Sequence, residues 1–417
     1  MTQQNVAIVG LGYIGLPTAV VMANAGIDVI GIDVNETNVD RINRGEVTIV
    51  EPGLEEELSK ALRSGRFRAT TNQVHADTYV IAVPTPLTET HGVDMKYIYS
   101  AAENIAPRLV GDELVILEST SPPRTTQKLA ERILQLRSDL AADGSDNAEN
   151  KPVIYFAHCP ERILPGNAIN ELRTNDRIIG GCTPKATERA ADIYATFCAG
   201  ELLHTNDVTA EMAKLTENSF RDVNIAFANE LSVICDKLQI DVWELIELAN
   251  HHPRVNILQP GPGVGGHCIA VDPWFIVAAD PENSNLIRTA RETNDNKPAL
   301  VIEKVVEEVL RNNASTVAIL GLAFKANIDD LRQSPALSIA AKLSELLPQT
   351  LLLAAEPNIE RLPAGLENLH NVKFTEYQDA ISRAEIIVLL VDHDEFKTVV
   401  PDQLRNKALI DTRGVWS

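Results

Sequence analysis

Apolar residues in this chain fall into short runs, and between the runs they recur at helical spacing. Residues 6–9, 29–32, 79–83, 114–117 and 153–156 are runs of four or five, rich in Val, Ile and Leu. Strand-like runs alternating with helical stretches predict an α/β fold with a doubly wound parallel sheet. The polar, small-residue segment 141–150 reads as a surface loop without catalytic meaning. From about 209 to 238 the chain has no Pro or Gly and keeps helical periodicity. A helix of that length runs roughly 45 Å, enough to join two domains and offer a dimer surface. Beyond about 313 a second α/β pattern begins, with strands at 316–321, 351–353, 385–390 and 408–410 and a helix near 335–347. The predicted organisation is therefore a domain at 1–200, a helical region at 201–300 and a second open-sheet domain at 301–417.

Composition narrows the function classes. The chain has 417 residues, 45% hydrophobic and 23% charged, with a formal net charge of −21. That charge argues against non-specific binding to nucleic acid or to an anionic membrane, so an anionic ligand must be held by local cations and backbone N–H groups. Five cysteines, odd in number and without C-x-x-C spacing, suggest a reducing compartment with neither a disulfide framework nor a metal site. The first strand begins about five residues in, and no apolar run reaches about 18 residues. A cytoplasmic protein is expected.

Two motifs carry chemistry. The run at 6–9 enters Gly10-Leu11-Gly12-Tyr13-Ile14-Gly15 and a helix follows, which is the dinucleotide fingerprint in its required context. The second strand delivers Asp33, which would accept from ribose hydroxyls and repel a 2′-phosphate, favouring NAD over NADP. The other motif, Gly261-Pro262-Gly263-Val264-Gly265-Gly266-His267-Cys268, brings a thiol to the end of a glycine-rich loop, with Asp272 four residues later. Such a loop can present a nucleophile, or it can be a tight turn with an inert thiol. Thr85 and Thr120 follow strands and should border cofactor and substrate, although Ser, Thr and Pro also punctuate ordinary loops. Lys214 and Asn218, four apart, share one face of the long helix. They read as a solvated stripe or as a functional pair, and Ser219, Phe220, Arg221 and Asn224 make that face unusually polar for one that packs. Phe324-Lys325, Arg332 and Arg413 place cations beside predicted strand ends, where an anion could sit or solvent could.

Taken together, the motifs resemble the UDP-glucose/GDP-mannose dehydrogenase family over essentially the whole chain. The resemblance rests on the fingerprint, Val83-Pro84-Thr85-Pro86, Glu118-Ser119-Thr120-Ser121-Pro122, Pro160-Glu161-Arg162, Lys214-Leu215-Thr216-Glu217-Asn218, the Cys268 loop and Phe324-Lys325. It implies two Rossmann-like domains joined by a long central helix with a helical dimerisation region. It also implies a nucleotide-sugar substrate, oxidised twice at C6 with two NAD through a thiohemiacetal and a thioester on Cys268. By the same resemblance, Lys214 and Asn218 steady the C6 oxygen, and Lys214 is the cation near the thiol. Asp272 positions Lys214 or a water, Thr120 bonds that water, and Glu161 is the base for hydrolysis. Gly10, Gly12, Tyr13, Ile14, Gly15, Asp33, Thr85, Thr120 and Arg332 would hold the cofactor. Glu161, Arg162, Leu164, Lys214, Asn218, Arg221, Gly265, Phe324, Lys325 and Arg413 would hold the substrate, with Arg254 reaching it across a homodimer interface.

One departure bears on the sugar. UDP-glucose enzymes carry a second glutamate four positions after the Pro-Glu pair, and here that position is Pro165. Proline does no acid–base work, so more weight falls on Glu161 and UDP-glucose is disfavoured. The acetamido-sugar branch is similar in this respect, with UDP-N-acetyl-D-mannosamine the expected substrate and a bacterial surface polysaccharide, such as enterobacterial common antigen, the expected destination. UDP-N-acetylglucosamine is the alternative sugar. A two-electron β-hydroxyacid-type dehydrogenase and a non-catalytic nucleotide-sugar sensor are the rival classes.

Overall fold

A computed structural model describes residues 5–47, 49, 51–88, 91–163 and 166–416, and for His267 only the backbone. The chain divides into two compact units, Met1–Glu217 and Asn218–Ser417, and the division falls within a continuous helix, Asp207–Leu238.

The first unit is built on strands β1 (Asn5–Val9), β2 (Asp28–Ile32), β3 (Phe67–Thr70), β4 (Thr78–Ile81), β5 (Leu114–Leu117), β6 (Ala141–Ala142), β7 (Val153–His158), β8 (Arg177–Gly181) and β9 (Leu202–Asn206). They hydrogen-bond in the order β3-β2-β1-β4-β5-β7-β8-β9, with β6 against β7. All pairs are parallel except β7 with β8. The apolar runs become strands because both faces of the sheet are covered: Val6 and Ile8 join one buried cluster, Ala7 and Val9 the other. Each buried Val or Ile contributes about 1.5–3 kcal/mol, so such a run commits its strand to the interior. The segment 141–150 departs from its expected loop character at its start. Ala141 N–H bonds Pro152 O at 3.0 Å and Asp143 N–H bonds Ile154 O at 3.0 Å, laying two alanines beside β7. Strand β1 has β2 on one side and β4 on the other, and the crevice above that switch point is where ligands of such sheets bind.

The second unit begins on the long helix, which spans 32 residues. Helices Val242–Asn250, His267–Ala279 and Asn285–Asn312 follow, then a sheet of β10 (Thr316–Leu320), β11 (Leu351–Ala355), β12 (Val372–Phe374), β13 (Ile386–Leu389) and β14 (Ala408–Asp411). Its order is β12-β11-β10-β13-β14, all parallel, with Val317 and Ile319 in one apolar cluster and Ala318 and Leu320 in the other. Among the described residues no helix is long and apolar enough to cross a membrane. Among the described residues no disulfide joins any two of the five cysteines.

Candidate active site

At the end of β1 the fingerprint glycines divide their work by geometry. Gly10 adopts φ +96°, and a methyl on it would lie 2.5 Å from the Ala82 carbonyl oxygen. A methyl on Gly15 would lie 1.9 Å from Gly10 O, so only glycine lets the helix Gly15–Asn24 seat against the loop. Gly12 is exposed and a methyl there meets nothing within 4 Å. The helix beyond has Ile14 as its N-cap, with no side-chain bond across its first turn. An uncapped helix N-terminus beside open space fits a pyrophosphate. Asp33, half-buried at the end of β2, accepts Leu11 N–H at 2.9 Å and Asn35 N–H at 2.9 Å, which orients its carboxylate beside the loop. The residues present thus fit NAD, with room for phosphates at Gly12 and a ribose acceptor at Asp33. Tyr13 donates to Glu51 at 3.1 Å, and the same buried carboxylate accepts Gly166 N–H at 2.9 Å and Ala168 N–H at 2.7 Å.

The next two strands end side by side. Thr85 Oγ1 donates to Thr120 O at 2.8 Å, so two threonines expected near the ligands are brought together. Beneath them lies a cluster that sequence reasoning did not assemble. Arg177 on β8, almost fully buried, reaches Glu161 Oε2 at 2.8 Å and Glu118 Oε1 at 3.3 Å, and its guanidinium stacks 4.6 Å from the centre of the Tyr194 ring. Glu161 Oε1 also accepts Arg162 N–H at 2.6 Å. Burial and the neighbouring Glu161 carboxylate push Glu118 up to about 7, against the opposing pull of Arg177. Burial likewise raises the Cys159 thiol, leaving it inert. The missed signal is Arg177 itself, a lone cation opening the apolar run Ile178-Ile179. Arg162 is ion-paired with Glu217 at 2.7 Å, and Leu164 and Pro165 lie outside the described residues. Lys214 is half-buried on the long helix.

In the second unit the glycine loop ends at Gly266 (φ +80°), the N-cap of the helix His267–Ala279. Cys268 is therefore the exposed second residue of a helix, at the end that carries the helix's partial positive charge. One turn on, Asp272 is buried and accepts from Asn218 Nδ2 at 2.5 Å, joining two residues singled out from far-separated motifs. Phe324 covers the loop: a methyl on Gly265 would lie 2.8 Å from its Cβ, and one on Gly266 would lie 3.0 Å from its ring. Arg413 lies against Gly261, where a methyl would lie 2.7 Å from its Nη1, and its Nε bonds Asp392 at 2.8 Å. The loop therefore gathers Cys268, Gly265, Phe324 and Arg413. Other expected residues stand outside this group: Arg221, Arg254 and Lys325 are exposed, and Arg332 pairs with Asp330 at 2.6 Å.

Comparison with known proteins matches all three segments. Residues 4–198 match the NAD binding domain of the UDP-glucose/GDP-mannose dehydrogenase family, 208–296 its central domain and 318–417 its UDP binding domain. The chain is 52% identical to an NDP-N-acetyl-D-galactosaminuronic acid dehydrogenase of Ralstonia nicotianae over 99% of this chain and 96% of that protein. It is 51% identical to UDP-N-acetyl-D-mannosamine dehydrogenase of Escherichia coli K12 over the full length of both. A solved UDP-D-ManNAc dehydrogenase from Pyrococcus horikoshii superposes with a TM-score of 0.86 at 37% identity, over 99% of this chain and 96% of that one.

Proposed function

This chain belongs to the UDP-glucose/GDP-mannose dehydrogenase family and is an NAD-dependent dehydrogenase; from that premise we propose that it oxidises UDP-N-acetyl-D-mannosamine at C6 to the uronate. The observation that carries the reading is Cys268, exposed in the first turn of a helix behind a glycine loop. NAD, held by the Gly10–Gly15 loop and Asp33, would supply the hydride acceptor for each of two oxidations at C6. Lys214 and Asn218 hold the charge on the C6 oxygen, and Asp272 fixes the Asn218 amide through the bond already described. The Cys268 thiolate adds to the aldehyde carbon to give a thiohemiacetal, whose oxidation leaves a thioester. Thr120 orients a water, Glu161 takes its proton, and hydrolysis returns the thiol and releases the uronate. Arg177 holds the Glu161 carboxylate in place while that happens.

For the sugar, the relative of E. coli K12 supports the manno configuration, and the equally similar Ralstonia relative supports a galacto-configured acetamido sugar as the second reading. The enzyme would work in the cytoplasm and its product would feed a bacterial surface polysaccharide. Exposed Phe220, Phe227, Ile234 and Leu238 on the long helix support a homodimer with Arg254 at its interface. The deciding measurement is NADH formed per sugar, with UDP-N-acetylmannosamine, UDP-N-acetylgalactosamine, UDP-N-acetylglucosamine and UDP-glucose each limiting. Two NADH with the manno sugar alone supports the whole reading. Two with another sugar keeps the mechanism and replaces the substrate, and one NADH per sugar rules out the thioester.

A further inference from the structure

The turn that bears Cys268 is gripped on both sides by one buried polar network, all of it within the second unit. Upstream, Gly261 N–H donates to Asn229 Oδ1 at 2.9 Å. Downstream, Pro273 lacks the N–H that would bond the Ile269 carbonyl one turn back. Arg291 Nη1 approaches that freed oxygen at 3.4 Å. The two grips are linked. Asn229 Nδ2 donates to Asn294 Oδ1 at 2.8 Å, and Asn294 Nδ2 donates to Asp222 Oδ1 at 2.8 Å and to the Asp222 carbonyl at 3.0 Å. The same Asp222 oxygen is ion-paired with Arg291, which also bonds Asp295 at 3.0 Å. Asn229, Asn294, Asp222 and Arg291 are all fully buried.

We propose that this network is a positioning device that sets the place and orientation of Cys268, the residue directly before Ile269; the inference rests on the nucleophile reading above. A core built for stability alone would not use these groups, because a buried ion pair can often be replaced by apolar side chains of similar volume without loss. Among the described residues, Asp222 Oδ2 and Arg291 Nε have no hydrogen-bond partner. What it supplies is direction. A chain of directional bonds, closed by the longer 3.4 Å contact to Ile269, runs from one end of the glycine loop to the helix turn that follows the thiol, holding both ends of a segment whose glycines would otherwise let it drift.

The test replaces the pair neutrally with Asp222→Leu/Arg291→Met and compares it with the parent and with Cys268→Ala. Three readouts are taken: the thermal unfolding midpoint, kcat and KM, and the rate of Cys268 alkylation by iodoacetamide as a function of pH, read on the Cys268 peptide by mass spectrometry. We expect an unfolding midpoint near the parent's, a kcat lower by about tenfold or more with KM nearly unchanged, and slower alkylation with its pH profile moved upward. A double variant that alkylates and turns over like the parent overturns the proposal. Should it not fold, Arg291→Lys decides, since it keeps the charge opposite Asp222 but loses the fork that reaches Ile269; unchanged alkylation there also overturns it. Uronate formation surviving in Cys268→Ala would instead remove the nucleophile reading, and the alkylation profile would still decide the positioning role.

Discussion

Gly12 and Gly15 are three residues apart in one motif, yet the structure gives them opposite responses to a single methyl group. At Gly15 the added carbon would lie 1.9 Å from Gly10 O and 3.2 Å from Ala82 Cβ. A real Cβ essentially never approaches a neighbouring atom within 3.0 Å, so the helix must retreat by more than an ångström from the Gly10 loop it is packed on. Ordinary overpacking costs about 1–3 kcal/mol, and an obstacle made of backbone should cost at least the top of that range. At Gly12 the added carbon meets nothing within 4 Å, and the backbone is not left-handed. There Gly→Ala should hold stability level or raise it by about 0.4–1 kcal/mol through the unfolded chain. On the proposed reading, the pyrophosphate approaches through the open space at Gly12. A methyl there should weaken NAD binding by roughly 1.4–3 kcal/mol, which is about tenfold to a hundredfold. Thermal unfolding and isothermal titration with NAD, on both variants, make the comparison. Gly12→Ala binding NAD like the parent, or unfolding as early as Gly15→Ala, would refute the assignment of the phosphate site.

Three further outcomes are expected. If Asp33 selects against a 2′-phosphate, kcat/KM with NADP should be about a hundredfold below that with NAD, roughly 3 kcal/mol, and Asp33→Asn should narrow the gap; equal values for the parent would remove the role. Glu161→Gln should stall after the second oxidation and accumulate a thioester on Cys268, visible as added mass on the intact protein, whereas loss of activity without an adduct would place Glu161 at an earlier step. Lys297, buried beside Ser232, has its ammonium pulled down to about 8 by burial from the usual 10.5. The folded state holds that proton more weakly, so the penalty, about 3 kcal/mol, is complete below about pH 8 and fades as pH rises towards 10.5. Lys297→Met should therefore raise the unfolding midpoint near neutral pH, with a gain that shrinks in alkaline buffer; a gain independent of pH would contradict the charge argument.

What the sequence made legible depended on whether a signal was local. Val6-Ala7-Ile8-Val9 and Leu114-Val115-Ile116-Leu117 announce themselves because a parallel strand buried on both faces needs every side chain apolar. The long helix was plain from the absence of Pro and Gly, and the fingerprint from fixed spacing. Strand β9 was not, since at the sheet edge its burial is partial and Leu202-Leu203-His204-Thr205-Asn206 carries no such run. Pro273 hid the helix around Cys268, because proline reads as a stop unless another group takes up the carbonyl it frees. Arg291 takes it up, from 18 residues further along the chain. The grouping of Glu118, Glu161 and Arg177 was invisible for the same reason: the two acids stand in separate motifs, Arg177 is ordinary in its own segment, and only the strand order brings the three together.

The two sheets also show why only one of them was read as a dinucleotide site. Each ends its second strand on an acidic residue, Asp33 after β2 and Glu356 after β11, and each carboxylate accepts N–H groups from the loop after the first strand. Asp33 takes one such bond, from Leu11, and stays half-exposed beside the open Gly12, so it retains capacity for a ligand hydroxyl. Glu356 is one methylene longer and reaches under its loop. A single oxygen accepts Leu322 N–H at 2.8 Å and Ala323 N–H at 3.0 Å and meets His393 Nε2 at 2.9 Å, with the acid and the imidazole both fully buried. Burial alone would raise the Glu356 carboxyl, but His393 and the two backbone donors outweigh it and hold the group below its ordinary range. The same topology therefore leaves a half-exposed carboxylate in one half, suited to the ribose role proposed for it, and a filled structural joint in the other. The absence of G-x-G-x-x-G after β10 is the sequence counterpart of that joint, because the Leu322 and Ala323 amides are already bound to Glu356 and are not free to act as a dinucleotide fingerprint's do.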